Sequence, residues 1–285
     1  MKHYNLQQCI HAISERQCFH ARVENGAFEI KIEDYTPFVC TAIHNGHQLR
    51  SDLIDLCALS DAERLYEEDP WTADMIADMP IVIRACDSRY EYDLNRPPET
   101  CVYEEAWGKP VWKSPLSEQA RQYSRQKHQQ FYELLGELYS RLEKLHGRCL
   151  VYDVHAYNYQ RIEKDTPLFN IGTEQLDSQW SGVIQHWLEQ LNSISLPDTQ
   201  CRAAIDEVFY GRGYQATFVR QRLQNTLVLP TEIKKVYMDE SRGTPRPEII
   251  QSLSQQLARH MVQTADYFSA YTLTRKMHED ATKHR

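Results

Sequence analysis

The chain has 285 residues, enough for one large α/β domain or two small ones. Hydrophobic residues make up 41% and charged residues 25%, as in ordinary folded proteins, and the net charge of −8 argues against nucleic acid or an anionic membrane as a partner. No apolar run approaches the roughly 20 residues that span a bilayer, and the N-terminus shows no signal-peptide core. We therefore expect a cytoplasmic protein.

The first clear strand pattern in the sequence follows a less regular N-terminal segment. Residues 1 to about 36 mix short apolar pairs with charges and predict an irregular or short-stranded lead-in. Residues 37–43 then form an apolar run typical of a buried strand, and it ends on His44-Asn45-Gly46-His47. We expect Gly46 to let the backbone approach a ligand closely.

A helix and a second strand follow, each with polar residues after it. Residues 61–66 have a helical pattern and lead into the acidic turn Glu67-Glu68-Asp69, which Pro70 closes. Residues 80–86 predict a further strand, followed by a polar and aromatic segment over residues 87–98.

Two amphipathic helices occupy the middle of the chain. Ser117 offers an N-cap for the first helix, and Gly147 ends it. The apolar positions that repeat with the helical period are Phe131, Leu134, Leu135, Leu138, Leu142 and Leu145 in the first helix, and Trp180, Val183, Ile184, Trp187, Leu188 and Leu191 in the second.

The strand between these helices ends on a histidine. Residues 150–154 are short, apolar and rich in Val and Tyr, as in a buried parallel strand, and they deliver His155 to its end. Open α/β sheets bind ligands beyond the carboxyl ends of such strands. The alternative is a core histidine satisfied by Asp153, which lies on the same face of the strand and could equally orient a ligating imidazole.

The last strand and the tail complete the fold prediction. Residues 226–233 predict a strand that carries Glu232 near its end, and a helix is expected over residues 247–275. Strands and helices alternate, with no repeat or flexible linker. We predict one α/β domain over residues 1–285, with a mixed, mostly parallel central sheet flanked by helices.

Three of these strand ends or loops supply the residues of a catalytic zinc site. Two imidazoles, His44 and His155, plus one acid from the turn at residues 67–69 make a standard donor set, with water in the fourth position. Zinc would lower the pKa of that water and polarise a carbonyl, and Glu232 is the candidate to take and return the proton. His47 is a rival ligand, although a supporting or solvated role suits it better.

Several short motifs, taken together, resemble those of a known family. In chain order they are His44-Asn45-Gly46, Glu67-Glu68-Asp69-Pro70-Trp71-Thr72, Asp87-Ser88-Arg89-Tyr90-Glu91-Tyr92-Asp93-Leu94-Asn95-Arg96-Pro97, Tyr152-Asp153-Val154-His155-Ala156-Tyr157-Asn158, Asn170-Ile171-Gly172-Thr173 and Glu232-Ile233-Lys234-Lys235-Val236-Tyr237-Met238-Asp239-Glu240. From about residue 38 to 243 the chain resembles the N-formylglutamate amidohydrolase family. The resemblance implies a phosphorylase/hydrolase-like fold similar to that of zinc exopeptidases such as the carboxypeptidases.

The resemblance implies roles for particular residues. His44 and His155 match the zinc ligands, and alignment on Trp71 favours Glu68 as the acid ligand over its neighbours Glu67 and Asp69. Glu232 matches the general acid/base.

The resemblance also assigns the substrate contacts. Asn95 and Arg96 match a pair that holds the substrate carboxylate, a task suited to the planar fork of arginine. Arg89 matches, more loosely, an arginine that polarises the scissile carbonyl.

The chain also departs from the family pattern. Asn45 stands where the family usually has Ser, Ala156 replaces a Ser after the second histidine, and Arg212 separates two glycines that the family has as a pair. Lys234 and Lys235, after the predicted acid/base, are expected to be surface charges. These departures leave the predicted metal ligands intact and leave the substrate open.

The expected activity is hydrolysis of N-formyl-L-glutamate, or of a related N-acyl amino acid, by an enzyme with one Zn²⁺ per chain. The only partner we expect is this small-molecule substrate, with no nucleic acid and no membrane. One alternative is a carboxypeptidase-like hydrolase of another N-acyl amino acid or a short peptide. Another is a non-catalytic protein that binds metal or carboxylate. The oligomeric state is not predicted.

Overall fold

The computed structural model describes the backbone of residues 1–283 and the side chains of residues 1–271. The strands are β1 (Lys2–Tyr4), β2 (Phe19–Val23), β3 (Phe28–Ile32), β4 (Phe38–Ala42), β5 (Ile81–Ala85), β6 (Glu105–Ala106), β7 (Lys109–Pro110), β8 (Cys149–Tyr157), β9 (Phe169–Ile171), β10 (Ala203–Ile205), β11 (Thr226–Lys234), β12 (Met238–Asp239) and β13 (Thr244–Pro245). The helices are α1 (Leu6–Ser14), α2 (Ser51–Ile54), α3 (Asp61–Glu67), α4 (Glu118–His146), α5 (Ser181–Asn192), α6 (Tyr214–Arg222) and α7 (Pro247–Lys283).

One nine-stranded sheet organises the fold, in the order β1-β2-β3-β5-β4-β8-β11-β9-β10. Its centre is parallel, because β4 pairs in parallel with β5 and β8, and β8 pairs in parallel with β11. Antiparallel pairs, β3 with β5 and β11 with β9, flank this centre. The prediction of a mixed, mostly parallel sheet flanked by helices is confirmed.

Helices cover both faces of the sheet, so its central strands are apolar on both sides. Along β8, Leu150 and Tyr152 face a core that includes Trp187 of α5 and residues of α7. Val151, one residue between them, faces the opposite core with Phe131 of α4 and residues of α1 and α6. The alternation that puts successive side chains on opposite faces therefore fills two cores from one short apolar run.

Helix α4 begins and ends where the sequence predicts. The Ser117 hydroxyl accepts a hydrogen bond from the Ala120 N–H, and Gly147 ends the helix in the left-handed conformation with φ 72°. Helix α7 continues beyond the predicted residues 247–275. Within residues 1–283, no helix combines the length and apolar character needed to cross a bilayer.

The first 36 residues are more regular than the sequence pattern predicts. They form β1, α1, β2 and β3, and the three strands extend the sheet beyond β5. Asn5 and Gln8 cap α1 reciprocally, and Phe28, Ile30 and Ile32 of β3 are buried at alternate positions. These elements are short and charged on one side, so their periodicity is weak until the sheet gives them a surface to pack on.

Polar side chains follow the apolar ones toward the carboxyl ends of β8 and β11. On the face covered by α4, Val151 of β8 is followed two and four residues later by Asp153 and His155, and Val228 of β11 is followed at the same spacing by Pro230 and Glu232. The carboxyl ends of the central parallel strands thus bring the predicted chemical groups to one cleft, as expected for an open α/β sheet.

Candidate metal-binding and catalytic site

Three buried side chains, His44, Asp69 and His155, point ligand atoms at one another. The two Nδ1 atoms of the histidines are 3.2 Å apart. Asp69 Oδ2 lies 3.3 Å from Nδ1 of His44 and 3.4 Å from Nδ1 of His155. Within the described residues, these side chains offer ligand atoms that all lie within 4.8 Å of one another. They are a candidate metal site.

Three separate elements bring these residues together. His44 lies two residues beyond the end of β4, and His155 lies in β8, the parallel neighbour of β4. Asp69 follows α3, and its backbone N–H donates to the His44 carbonyl at 2.9 Å. That bond fixes the acidic turn against the strand end, so the site is assembled by backbone contacts as well as side chains.

A carboxylate holds the far nitrogen of each histidine. His44 Nε2 lies 2.7 Å from Asp93 Oδ1, and His155 Nε2 lies 3.0 Å from Asp153 Oδ2. A carboxylate can only accept, so with a metal ion held by the two Nδ1 atoms each Nε2 would carry the proton and donate it to its carboxylate. This carboxylate–histidine arrangement is typical of zinc sites.

The donor set also has the spacing that a small metal ion requires. Zinc bonds of about 2.1 Å in tetrahedral geometry place ligand atoms about 3.4 Å apart. The three distances between the His44, Asp69 and His155 ligand atoms agree with this value. Two imidazoles and one carboxylate therefore fit zinc in both chemistry and geometry.

Glu68, the acid favoured by the sequence, faces away from this centre. It is fully buried, its Oε2 lies 2.5 Å from His47 Nδ1, and its Oε1 accepts from the Ser88 hydroxyl. Glu68 is in extended conformation, with φ −78° and ψ 167°, so its side chain and that of Asp69 point in opposite directions. The structure thus places Asp69, an alternative that the sequence left open, between the histidines, and it pairs His47 with Glu68.

Lys235 is buried rather than a surface charge, and the side chain of its neighbour Lys234 is only 17% exposed. The ammonium of Lys235 donates to the carbonyls of Tyr66 and Glu68, each at 2.7 Å, and so holds the turn that carries Asp69. Burial lowers the pKa of Lys235. No local sequence signal separates the two lysines, because only the path of the chain after β11 decides which one turns inward.

Asp93 is a site residue that the sequence interpretation did not single out. Besides His44, its carboxylate accepts from Arg89 Nη2 at 2.7 Å, from the Asn95 N–H at 2.7 Å and from the Tyr103 hydroxyl. Burial alone would raise its pKa, but Arg89 and His44 outweigh burial and hold the pKa of Asp93 well below its usual range. The sequence signal that could have identified Asp93 is its position as the first residue of the motif Asp93-Leu94-Asn95-Arg96.

A cleft of about 470 Å³ opens beside the candidate metal site. The predicted residues that line it are Arg89, Asn95, Arg96, His155 and Glu232. The structure therefore brings the predicted acid/base and substrate contacts to the same space as one predicted metal ligand. Such a concave, polar space is where a small substrate would bind.

Glu232 stands next to His155 across the pairing of β11 with β8. Neighbouring strands are about 4.8 Å apart, so the two side chains lie side by side on the same face. Burial raises the pKa of Glu232 to about 7, with the Asp69 carboxylate acting in the same direction. A carboxyl group with such a pKa can both accept and donate a proton near neutral pH.

The two predicted arginines are held by different partners. Arg89 donates to Asp93 and, through Nη1, to the Glu67 carbonyl at 3.1 Å, while its guanidinium lies 4.9 Å from the centre of the Trp107 ring. Arg96 donates through Nε to the Tyr103 hydroxyl at 3.2 Å. Both guanidinium groups are thus fixed by protein contacts at the wall of the cleft.

The glycines around Arg212 shape the mouth of the cleft. Gly211 has φ 73° and packs against the backbone of Gly172, so closely that a Cβ on either residue would collide with the other. Gly213 packs against the Asn95 amide. Between them, the side chain of Arg212 is 67% exposed, and its Nε lies 2.8 Å from Glu174 Oε2. Gly46, expected to face a ligand, instead packs against the backbone of residues 86–87.

Comparisons with solved structures agree with this architecture. The crystal structure of N-formylglutamate amidohydrolase from Ralstonia eutropha JMP134 is similar, with a TM-score of 0.69, 17% sequence identity, and coverage of 85% of this chain and 98% of that one. A gene product from Agrobacterium tumefaciens is similar, with a TM-score of 0.62, 14% identity, and coverage of 83% and 95%. At these identities the likeness establishes the fold.

The sequence itself gives the family. A search of curated protein sequences found no match. The profile of the N-formylglutamate amidohydrolase family, in contrast, matches residues 36–238, which is more than half of the chain and includes the candidate metal site and Glu232. The chain therefore belongs to the N-formylglutamate amidohydrolase family.

Proposed function

We propose that the protein is a zinc-dependent amidohydrolase that cleaves the linear amide bond of N-formyl-L-glutamate, or of a related acidic N-acyl amino acid, to a carboxylate and the free amino acid. The observation that carries this proposal is the centre formed by His44, Asp69 and His155. Their ligand atoms lie 3.2–3.4 Å apart, and a carboxylate holds the far nitrogen of each histidine.

In this proposal His44, Asp69 and His155 hold one zinc ion. Zn²⁺ in such a site supplies a Lewis acid that polarises a carbonyl and lowers the pKa of water toward 7. Asp93 and Asp153 keep the two imidazoles in the tautomer that presents Nδ1, and Lys235 keeps the turn carrying Asp69 in place.

Glu232 is proposed to move the proton. Its position beside His155 at the cleft, and its pKa of about 7, suit a group that takes a proton from the attacking water and gives it to the departing amide nitrogen. The bond between the acyl carbon and the nitrogen breaks as water oxygen bonds to that carbon. The products are then a carboxylate and an amine.

Arginines in the cleft suit an acidic substrate. Arg89, Arg96 and Arg212 line it together with the carboxyl groups of Asp93, Asp153 and Glu232, and Asn95 lies beside them. We propose that Arg96 and Asn95 bind the α-carboxylate, that Arg89 faces the acyl carbonyl, and that Arg212 at the mouth meets a second negative group. Glutamate carries two carboxylates, which suits this arrangement.

Replacement of the family's Ser by Ala156 does not weigh against catalysis. Ala156 is buried in the core under α5 and α7, on the face of β8 opposite to His155. A hydroxyl at this position would point away from the cleft. The absence of this Ser therefore gives no reason to prefer a non-catalytic binding protein.

The test measures zinc per chain and turnover on the same preparation. We expect about one zinc per wild-type chain, turnover of N-formyl-L-glutamate, and slower turnover of N-formyl-L-glutamine and of N-acetyl-L-glutamate. A chain that binds zinc but prefers the acetyl compound or a peptide would support the carboxypeptidase-like alternative. A zinc-loaded chain that hydrolyses none of these amides would refute the proposed activity.

A further inference from the structure

A chain of hydrogen bonds leads from His155 to helix α6. Beyond the bond between His155 Nε2 and Asp153 Oδ2, the other oxygen of Asp153 accepts from the Thr41 hydroxyl at 2.8 Å. Thr41 Oγ1 in turn accepts from Gln215 Nε2 at 3.2 Å. Asp153, Thr41 and Gln215 are all buried, and they come from three different elements, β8, β4 and α6.

The chemistry of these groups fixes the direction of every bond. The amide nitrogen of Gln215 can only donate, so the Thr41 oxygen accepts there, and its single hydrogen goes to Asp153 at 2.8 Å in preference to the Tyr152 carbonyl at 3.5 Å. Asp153 then has one oxygen occupied by Thr41 and offers the other to His155. If the nitrogen and oxygen of the Gln215 amide exchanged places, the amide oxygen would accept the hydrogen of the Thr41 hydroxyl, and Asp153 would lose that donor.

Stability alone does not account for an amide at position 215. Gln215 is fully buried, and its Oε1 has no hydrogen-bond partner among the described residues. A buried polar atom without a partner costs folding free energy, and an apolar side chain of the same shape would avoid that cost. What Gln215 gains in return is its bond to Thr41.

Helix α6 also begins at the cleft. Its N-cap, Gly213, packs against the Asn95 side chain, and the Tyr214 N–H donates to the Asn95 carbonyl at 3.1 Å. Gln215 is therefore two residues from the loop that lines the mouth of the cleft. The same helix end contacts a proposed substrate-binding residue and the hydrogen-bond chain that ends on His155.

We propose that Gln215 and Thr41 are positioning residues that orient the Asp153 carboxylate and thereby keep His155 in the Nε2–H tautomer, with Nδ1 directed at the metal centre. The proposal deepens the proposed function and rests on it, since His155 is taken to be a metal ligand. It assigns a role in metal affinity to two residues that touch neither metal nor substrate.

The test is the zinc affinity of Thr41→Val and Gln215→Met, measured by competition with a chromophoric chelator. Both substitutions keep the approximate shape and remove the hydrogen bond. We expect Thr41→Val to weaken zinc binding about threefold to tenfold, less than loss of a direct partner of a metal-ligating histidine, because Thr41 acts through Asp153. Gln215→Met should weaken zinc binding less, because Thr41 can still donate to Asp153. The double variant should bind no more weakly than the weaker single variant, because both residues act through one hydrogen-bond chain.

Two further variants separate positioning from packing. Thr41→Ser keeps the hydroxyl and should keep the zinc affinity of the wild type. Thr231→Val is the matched control, because Thr231 is also a buried strand threonine but its hydroxyl bonds to Trp187 on the other face of the sheet. It should lower the melting temperature and leave zinc affinity unchanged.

The outcomes distinguish this proposal from the proposed function. Zinc binding that is as tight in Thr41→Val and Gln215→Met as in the wild type would overturn the positioning role and leave the function intact. Weakening of zinc binding by Thr231→Val to the same extent would also overturn the positioning role, since a general loss of stability would then explain it. A wild-type chain with no zinc affinity would overturn both.

Discussion

The identity of the acid ligand gives the sharpest test of the candidate site. Asp69 and Glu68 are adjacent, buried and isosterically replaceable, by Asp69→Asn and Glu68→Gln. Each substitution removes one negative charge and keeps the shape. Their side chains point in opposite directions, so only one of the two changes reaches the candidate metal site.

The structure sets the size of the expected difference. Asp69 Oδ2 lies 3.3 and 3.4 Å from the two Nδ1 atoms, the spacing expected of atoms that ligate one ion. Loss of a supporting partner behind a ligand weakens metal binding about 10- to 100-fold, so loss of an anionic ligand itself should exceed about 100-fold. Glu68 contacts His47 and Ser88, and its replacement should change zinc affinity by less than about threefold, below the effect of losing such a partner.

The assay is zinc affinity by chelator competition, with the free energy of unfolding of both metal-free variants measured in parallel. Glu68→Gln should lower that free energy by about 1–3 kcal/mol, because it weakens the buried hydrogen bonds to His47 and Ser88. Weaker zinc binding in Glu68→Gln than in Asp69→Asn would refute the assignment of Asp69 and restore the ligand expected from the sequence.

Three further predictions concern the proton, the substrate and the backbone. Glu232→Gln should retain zinc and lower kcat about 10²- to 10⁴-fold, and normal turnover in steady-state assays would remove Glu232 from the mechanism. Arg212→Gln should lower kcat/KM for N-formyl-L-glutamate about tenfold, the effect of one charge-assisted hydrogen bond, and leave N-formyl-L-methionine unaffected. An equal loss of kcat/KM for both substrates would show that Arg212 does not recognise the charge of the substrate side chain. Gly46→Ala should lower the free energy of unfolding by about 1–3 kcal/mol in chemical denaturation, because its Cβ would lie 2.2 Å from the Asp87 carbonyl oxygen. Gly136→Ala in α4 should lower the free energy of unfolding less, because its Cβ would meet the Phe218 ring at 3.3 Å and no backbone atom at the distance found for Gly46.

The sequence determined the parts of the fold whose signal is local. The strands around residues 37–43, 80–86, 150–154 and 226–233 could be predicted, because a short, continuous apolar run is typical of a strand that is buried on both faces. This signal does not depend on the position of the strand in the sheet. Helices α4 and α5 could be predicted from their apolar period, and the cap at Ser117 from its residue type. The N-terminal strands could not, since their pattern becomes meaningful only beside β5.

The sequence also placed His44, His155 and Glu232 at strand ends, and the carboxyl ends of parallel strands share one edge. Which acid of residues 67–69 joins the histidines was decided by the tertiary structure. The bond from the Asp69 N–H to the His44 carbonyl and the contacts of Lys235 set the rotation of that turn, and rotation determines which of two adjacent carboxylates faces inward. The link from Gln215 through Thr41 to Asp153 joins three distant segments, and only their packing reveals it.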